Sequence, residues 1–320
     1  MDARDEQSLR AAKLYYESGM SQVEIANEMG MSRPTVAKLL QHARDRGYVV
    51  IQILDPREQR GHVAESLVEH FGQYGLREVR VAQPARDSSG EILKELGRVG
   101  ALVLQEHVED GHMVGVSWGN TMYAVARALS DIPRHGVEIV QLKGGLSYTE
   151  RSSNDIETIN LFCRAFGAYA RTLPLPVIFD NAETKNVVEQ DRLINHTLEL
   201  GAHTDVVIFT VGAVQRDSLP LSMGYLSEEE IQQLEHNAVG DACSRFFTND
   251  GTIAVPSVDE RTVAISLTDL ASRPVRILVA GGMAKADAIL AGLRMGLATH
   301  LVIDHQTACA ILERLEGEAE

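Results

Sequence analysis

From residue 62 onward, short apolar runs alternate with amphipathic stretches of helical period, and this alternation constrains the fold of the 320-residue chain more than any other feature. The runs are Arg77–Ala82, His112–Ser117, Val137–Leu142, Asp205–Val211, Arg276–Ala280 and His300–Ile303. None shows the strict apolar–polar alternation of a strand with one wet face, so each reads as a strand covered on both sides. The helices expected between them are His62–Tyr74, Gly90–Val108, Asn120–Leu129, Ser153–Phe166, Asn186–Leu200, Ser227–Leu234, Lys285–Met295 and Gln306–Leu315. The fold class predicted for this part is α/β, a doubly wound, largely parallel sheet with helices on both faces.

The first fifty residues follow a different, all-helical pattern. Leu9, Ala12, Leu14, Tyr15 and Tyr16 fall near helical spacing over Gln7–Glu17, and Gly19 supplies a stop. Ser21 followed by Glu24 has the spacing of a capping box and starts a helix over Gln22–Met29, with Val23, Ile25, Ala26 and Met29 apolar. Gly30 then permits a tight turn, Ser32 caps the next helix, and Pro34 stands in its first turn, where a missing N–H costs nothing. Two short helices joined by a Gly-containing turn are a helix-turn-helix, whose second helix enters the major groove of double-stranded DNA by its N-terminal end. With Val36, Leu39 and Leu40 turned to the core, Ser32, Arg33, Thr35 and Lys38 are the candidate DNA contacts, together with Ser21 and Gln22 at the start of the preceding helix. The bland alternative is a small helical cap with a solvated face.

A net charge of −15 argues against nucleic acid only if it is spread evenly. It is not: residues 1–50 hold seven basic and seven acidic side chains, and Ser32–Arg46 holds four positive against one negative. The positive charge is gathered on the helix expected to meet DNA, and the acidic excess belongs to the rest. A length of 320 residues suits about two domains. Val49–Leu54 reads as a short strand and Pro56–Gly61 as a polar break, so the boundary is expected between residues 1–55 and 56–320. Cys163, Cys243 and Cys309 are far apart and match no zinc or disulfide spacing; they read as buried small hydrophobes in a reducing compartment. The start, MDARDEQS, is unlike a signal peptide, and no apolar run approaches membrane-spanning length. A cytoplasmic protein without membrane partner, metal or cofactor is expected.

In such sheets ligands bind beyond the carboxyl ends of the strands. Four strand-end loops carry suitable chemistry. In Ser117–Met122, Gly119 permits close backbone approach, and Asn120 and Thr121 open a helix whose N-terminus favours phosphate. Lys143–Ser147 places a cation beside Gly144 and Gly145, and Gly212–Val214 follows the next strand. Ala280–Lys285 opens a further helix with Lys285 in the first turn, where the macrodipole disfavours a cation unless an anion holds it. The fingerprints GxGxxG and GxxxxGK[ST] are absent, which disfavours dinucleotide binding and nucleotide triphosphate hydrolysis.

Taken together, these segments resemble the SorC family of bacterial sugar-responsive transcription regulators over essentially the whole chain. The resemblance is carried by LYYESGMSQVEIANEMGMSRPTVAKLLQHARDRGYV, VGVSWGNTM, QLKGG, Gly240-Asp241 followed by FF and NDG, and VAGGMAKADAILAGLRMG, in the expected order. It implies that residues 56–320 form an effector and oligomerisation domain related to sugar-phosphate isomerases and deaminases, working as a homo-oligomer, dimer or tetramer. It implies phosphate contacts from Gly119, Asn120, Thr121 and Lys285, a sugar-hydroxyl contact from Asp241, and a place for Ser117 among the effector-binding residues. The lysine of QLKGG, Lys143, with Gly144 beside it, is similar to the subgroup that regulates deoxyribonucleoside operons and responds to deoxyribose phosphate. A desolvated lysine is a nucleophile, so Lys143 either forms a Schiff base with an open-chain pentose phosphate or pairs with Asp241 or Glu183. The function expected is a repressor of a sugar or (deoxy)nucleoside catabolic operon released by a phosphorylated sugar. The alternative is a sugar-phosphate isomerase, deaminase or Schiff-base aldolase carrying a DNA-binding appendage.

Overall fold

The computed structural model describes residues 2–49, 61–86, 88–147, 149 and 153–319. The strand expected over Val49–Leu54 and the break expected over Pro56–Gly61 lie almost wholly outside the described residues. Chain contacts divide the molecule into two compact units, Met1–Asp55 and Pro56–Glu320.

The first unit is helical. Helix α1 (Ala3–Ala12) starts from an Asp2 cap and widens into one π-helical turn, Lys13–Glu17, so the first helix begins earlier than the periodicity predicts. Helix α2 (Gln22–Glu28) starts from Ser21, whose hydroxyl accepts from Glu24 N while the Glu24 carboxylate accepts from Ser21 N: the complete capping box. Gly30 turns the chain at φ 65°, and Ser32 caps α3 (Arg33–Asp45) with Pro34 in its first turn. The core is Ala11, Ala12, Ile25, Ala26, Val36, Leu39, Leu40 and Ala43. Tyr15, Tyr16 and Val23 are exposed rather than part of it. Asp5, buried in α1, accepts from His42 Nε2 at 2.9 Å and from Arg46 Nη2 at 3.1 Å, which ties α1 to the end of α3.

The second unit is built on a seven-stranded, wholly parallel sheet. Its strands are β1 (Glu78–Ala82), β2 (Met113–Val116), β3 (Glu138–Gln141), β4 (Tyr169–Arg171), β5 (Val206–Phe209), β9 (Val275–Val279) and β10 (His300–Asp304). Their spatial order is β1-β10-β9-β5-β2-β3-β4. Alternate residues feed two cores, as strand geometry requires. Val206 and Ile208 pack with Val114, Val116, Ile277 and Val279 under α5 (Ser89–His107), α6 (Asn120–Ala128) and α7 (Asp155–Phe166). Val207 and Phe209 pack with Val79, Leu278, Leu301 and Ile303 under α4 (His62–Phe71), α14 (Ala286–Arg294) and α15 (His305–Ala319).

Three departures from expectation matter. The helix expected over Asn186–Leu200 is two, α8 (Ala182–Glu189) and α9 (Arg192–Gly201), because Asp191 accepts from Leu193 N and Ile194 N and starts a new cap. The run Asp205–Val211 ends its place in the main sheet at Phe209; Val211–Gly212 is β6, which joins β7 (Gly240–Ala242) and β8 (Arg245–Phe247) in a small antiparallel sheet. Of the three cysteines only Cys243 is buried; Cys163 and Cys309 are half-buried. The short helices α10 (Leu219–Ser222), α11 (Glu228–Asn237), α12 (Pro256–Asp259) and α13 (Leu267–Ala271) complete the unit. No helix among the described residues is long and apolar enough to cross a membrane.

Candidate functional site

Among the strands of the main sheet, β2 is succeeded by β3 on one side and β5 by β9 on the other, so the strand order diverges between β2 and β5. A crevice opens at the carboxyl ends of strands at such a point. A cleft of about 300 Å³ lies there, room for one small phosphorylated metabolite.

One wall is the β2–α6 turn. Gly119 sits at φ 132°, a conformation L side chains rarely adopt, and α6 begins at the next residue. No side chain caps this helix, and its first amides have no intrahelical acceptor, which favours an anion. Ser117, Trp118, Gly119, Asn120 and Thr121 all line the cleft. Ser117 is 2% exposed, and its Oγ has no hydrogen-bond partner among the described residues. A buried orphan hydroxyl is costly, and this one stands in the lining of the cleft.

At the end of β3, Lys143 is 4% exposed. Its Nζ stands 3.7 Å from the centre of the Trp118 ring and donates to Ser244 Oγ at 3.1 Å. Burial drives this ammonium below the usual lysine range, with Asp241 opposing the shift. Burial drives the Asp241 carboxyl upward, against the pull of Lys143. Among the described residues no carboxylate stands within ion-pair distance of Lys143, so its bond is to a hydroxyl and not to Asp241 or Glu183. Asp241 lies in β7 and accepts from Ser244 N at 2.9 Å. The opposite wall carries half-buried Lys285, whose Nζ stands 3.5 Å from Thr210 Oγ1 and is pushed down by burial, again against Asp241. Thr210, Gln215, Asp217 and Ser218 also line the cleft.

The cleft thus gathers seven of the eight effector residues expected from sequence: Ser117, Gly119, Asn120, Thr121, Lys143, Asp241 and Lys285. Gly144 does not line it. Its carbonyl accepts from Trp118 Nε1 at 2.8 Å, and an added Cβ would stand 2.5 Å from Pro176 O, so the position serves packing. Trp118, Ser244, Thr210 and Ser218 were not foreseen. Trp118 lies inside a quoted motif and could have been; Ser244 carries no sequence signal.

In the first unit, Ser32, Arg33, Thr35 and Lys38 are exposed at the start of α3. The hydroxyls of Ser32 and Thr35 bond each other at 2.8 Å, while Arg33 and Lys38 have no hydrogen bond or ion pair among the described residues. Ser21 is exposed and spends its hydroxyl on its cap; Gln22 is half-buried.

A three-helix unit with an exposed, cation-bearing recognition helix, joined to a parallel-sheet unit with a small anion-suited cleft, defines a ligand-responsive DNA-binding regulator. Comparison with known proteins gives the family. The Sugar-bind family model, a sugar-binding domain, matches residues 63–313. The deoxyribonucleoside regulator of Bacillus subtilis is 44% identical over 317 residues, covering 98% of this chain and 100% of that protein. The crystal structure of the full-length sorbitol operon regulator SorC from Klebsiella pneumoniae superposes with a TM-score of 0.73 at 26% identity, over 98% of this chain and 100% of that one. A DeoR family transcriptional regulator from Listeria monocytogenes gives a TM-score of 0.70 at 28% identity, over 78% of this chain and 98% of that one. The chain belongs to the SorC family of sugar-binding transcriptional regulators. It is a regulator and not an enzyme, so the isomerase, deaminase and aldolase alternatives fall away.

Proposed function

We propose that the protein represses a sugar or (deoxy)nucleoside catabolic operon in the cytoplasm and leaves its double-stranded operator when a pentose phosphate, deoxyribose 5-phosphate above all, fills the cleft. The observation that carries this reading is Lys143, buried against Trp118, bound to a hydroxyl and, among the described residues, without a carboxylate partner. A desolvated amine of this kind is a nucleophile for an aldehyde. Its Nζ adds to C1 of the open-chain sugar, the carbonyl oxygen leaves as water, and a C=N bond replaces C=O. The phosphate then lies toward the α6 N-terminus and Lys285, and Asp241 toward a sugar hydroxyl. The 44% identical relative is named for deoxyribonucleosides, in keeping with this choice.

Release requires no turnover. A homo-oligomer whose DNA-incompetent form binds the sugar tenfold tighter at each site gains about 1.4 kcal/mol per site toward release. The test is borohydride reduction of the protein with deoxyribose 5-phosphate, peptide mass spectrometry, and operator binding by fluorescence anisotropy with and without the sugar. An adduct on Lys143 and loss of operator binding are expected. Operator release without an adduct would remove the Schiff base and keep the repressor; indifference of operator binding to every pentose phosphate would overturn the effector.

A further inference from the structure

At the other end of the sheet, where β1 and β10 begin, two histidines and a carboxylate converge. Glu78 opens β1, His300 opens β10, and the parallel register sets their Cα atoms side by side. Helix α5 packs across these strands and ends on His107. The imidazoles of His107 and His300 meet edge to face, with ring centres 4.3 Å apart. One donor atom from each of Glu78, His107 and His300 lies within 4.8 Å of the other two.

In both rings Nδ1 is the nitrogen engaged behind the ring, which leaves Nε2 for this point. His107 Nδ1 is 2.8 Å from Val103 O, and a carbonyl can only accept, so Nδ1 carries the proton and Nε2 keeps its lone pair. His300 Nδ1 is 2.8 Å from Thr299 Oγ1, which also lies 3.2 Å from Arg276 O; in the tautomer that sends the hydroxyl proton to Arg276 O, Nδ1 donates and Nε2 is left as the donor atom for a ligand. Histidines anchored in this way through one nitrogen are the usual arrangement around a bound metal. One Glu78 oxygen is engaged by Arg80, which Glu106 also neutralises, and the second remains.

We propose that Glu78, His107 and His300 form a binding site for a divalent transition-metal ion of the zinc, cobalt or nickel class. Two imidazoles and one carboxylate suit these ions and not magnesium or calcium, which take oxygen donors. The donors, which lie within 4.8 Å of one another, must draw in to about 3.3 Å, the edge of a tetrahedron with bonds of about 2.0 Å. Glu78, whose side chain is 34% exposed, has the freedom to close that gap, and solvent supplies the fourth ligand. The ion joins β1, β10 and the end of α5. It sits at the amino ends of the strands, away from the sugar cleft at their carboxyl ends, so metal and sugar bind without competing.

The experiment is titration of the untagged full-length protein with Co²⁺, followed by visible ligand-field absorption, with Zn²⁺ competition and thermal melts. One equivalent of Co²⁺, displaced by Zn²⁺ and accompanied by a higher melting temperature, is expected. His107→Ala and Glu78→Gln should each weaken binding by at least about tenfold while leaving the metal-free fold intact. Absence of binding, or binding unchanged in both variants, overturns the proposal. So does a thiolate-to-cobalt charge-transfer band that vanishes in Cys309→Ser, which would assign the ion to the His305 and Cys309 pair on α15.

Discussion

Lys143 Nζ and Ser244 Oγ meet at 3.1 Å across 101 residues of chain, and the hydroxyl is held there by a two-residue turn that most sequences avoid. Cys243 and Ser244 connect β7 to β8 with φ of 53° and 65°. Two consecutive positive φ values are those of a type I′ hairpin turn, ordinarily filled by Asn-Gly. Non-glycine residues in this region cost of order 1–2 kcal/mol each, and such strain gathers at functional sites. The turn places the hydroxyl on Lys143 and the Ser244 amide on Asp241 together.

Lys143→Met keeps the length and apolar bulk of the side chain and removes the amine. Operator binding should persist and the response to sugar should fail. Loss of a charge-assisted contact alone weakens effector affinity by roughly 10- to 150-fold, measured by titration calorimetry. In the wild type, the rate of borohydride-trappable adduct should climb with pH, because the neutral amine attacks, and level off below the ordinary lysine value of 10.5, since burial lowers this ammonium. A rate still rising through pH 10.5 would contradict the buried environment.

Ser117→Ala separates stability from recognition. The hydroxyl is buried without a partner, so its removal should stabilise the ligand-free protein by about 1 kcal/mol. The same change should shrink the rise in melting temperature produced by the sugar phosphate, because the ligand loses a bond. Melts with and without sugar measure both.

Arg33→Ala should weaken operator binding without touching sugar affinity. If Arg33 reads a base, the loss is roughly 5- to 150-fold and depends on one base pair. If it meets a phosphate, the loss is uniform across operator sequences and the salt slope falls by about 0.9. Anisotropy on mutated operators at several salt concentrations distinguishes these.

Asp5→Asn should loosen the helical unit. His42, and with it Arg46 and Tyr48, hold the Asp5 carboxyl at about 2 against an ordinary 3.8. A depressed carboxyl contributes stability that is fully present above the unfolded value and is lost as pH falls from 3.8 toward 2. The variant should therefore lack that part of the acid transition seen by circular dichroism, and bind operator more weakly at neutral pH.

Much of the fold was legible because its signals are local. Strands such as Val206–Phe209 are apolar throughout, and Ser21, Gly30 and Ser32 punctuate the helices with side chains whose chemistry allows little else. The edge strand β4 was missed because Tyr169, Ala170 and Arg171 are all exposed and leave no apolar pattern, Tyr169 being 77% exposed. In the site, cations and glycines at strand ends stood out, since phosphate chemistry demands them. Ser244 and the stacking of Trp118 on Lys143 did not: they arise from β7 and β8 arriving beside β3 from a hundred residues away, and from a turn without its usual residues.

The placement of β10 between β1 and β9 bears on how the protein is made. During synthesis β1 emerges early and waits for a neighbour that leaves the ribosome more than two hundred residues later. Until then β1 and β9 both present open edges, the surfaces most apt to pair with another nascent chain. A chain cut short before His300 is therefore expected to be an aggregation-prone product rather than a trimmed regulator.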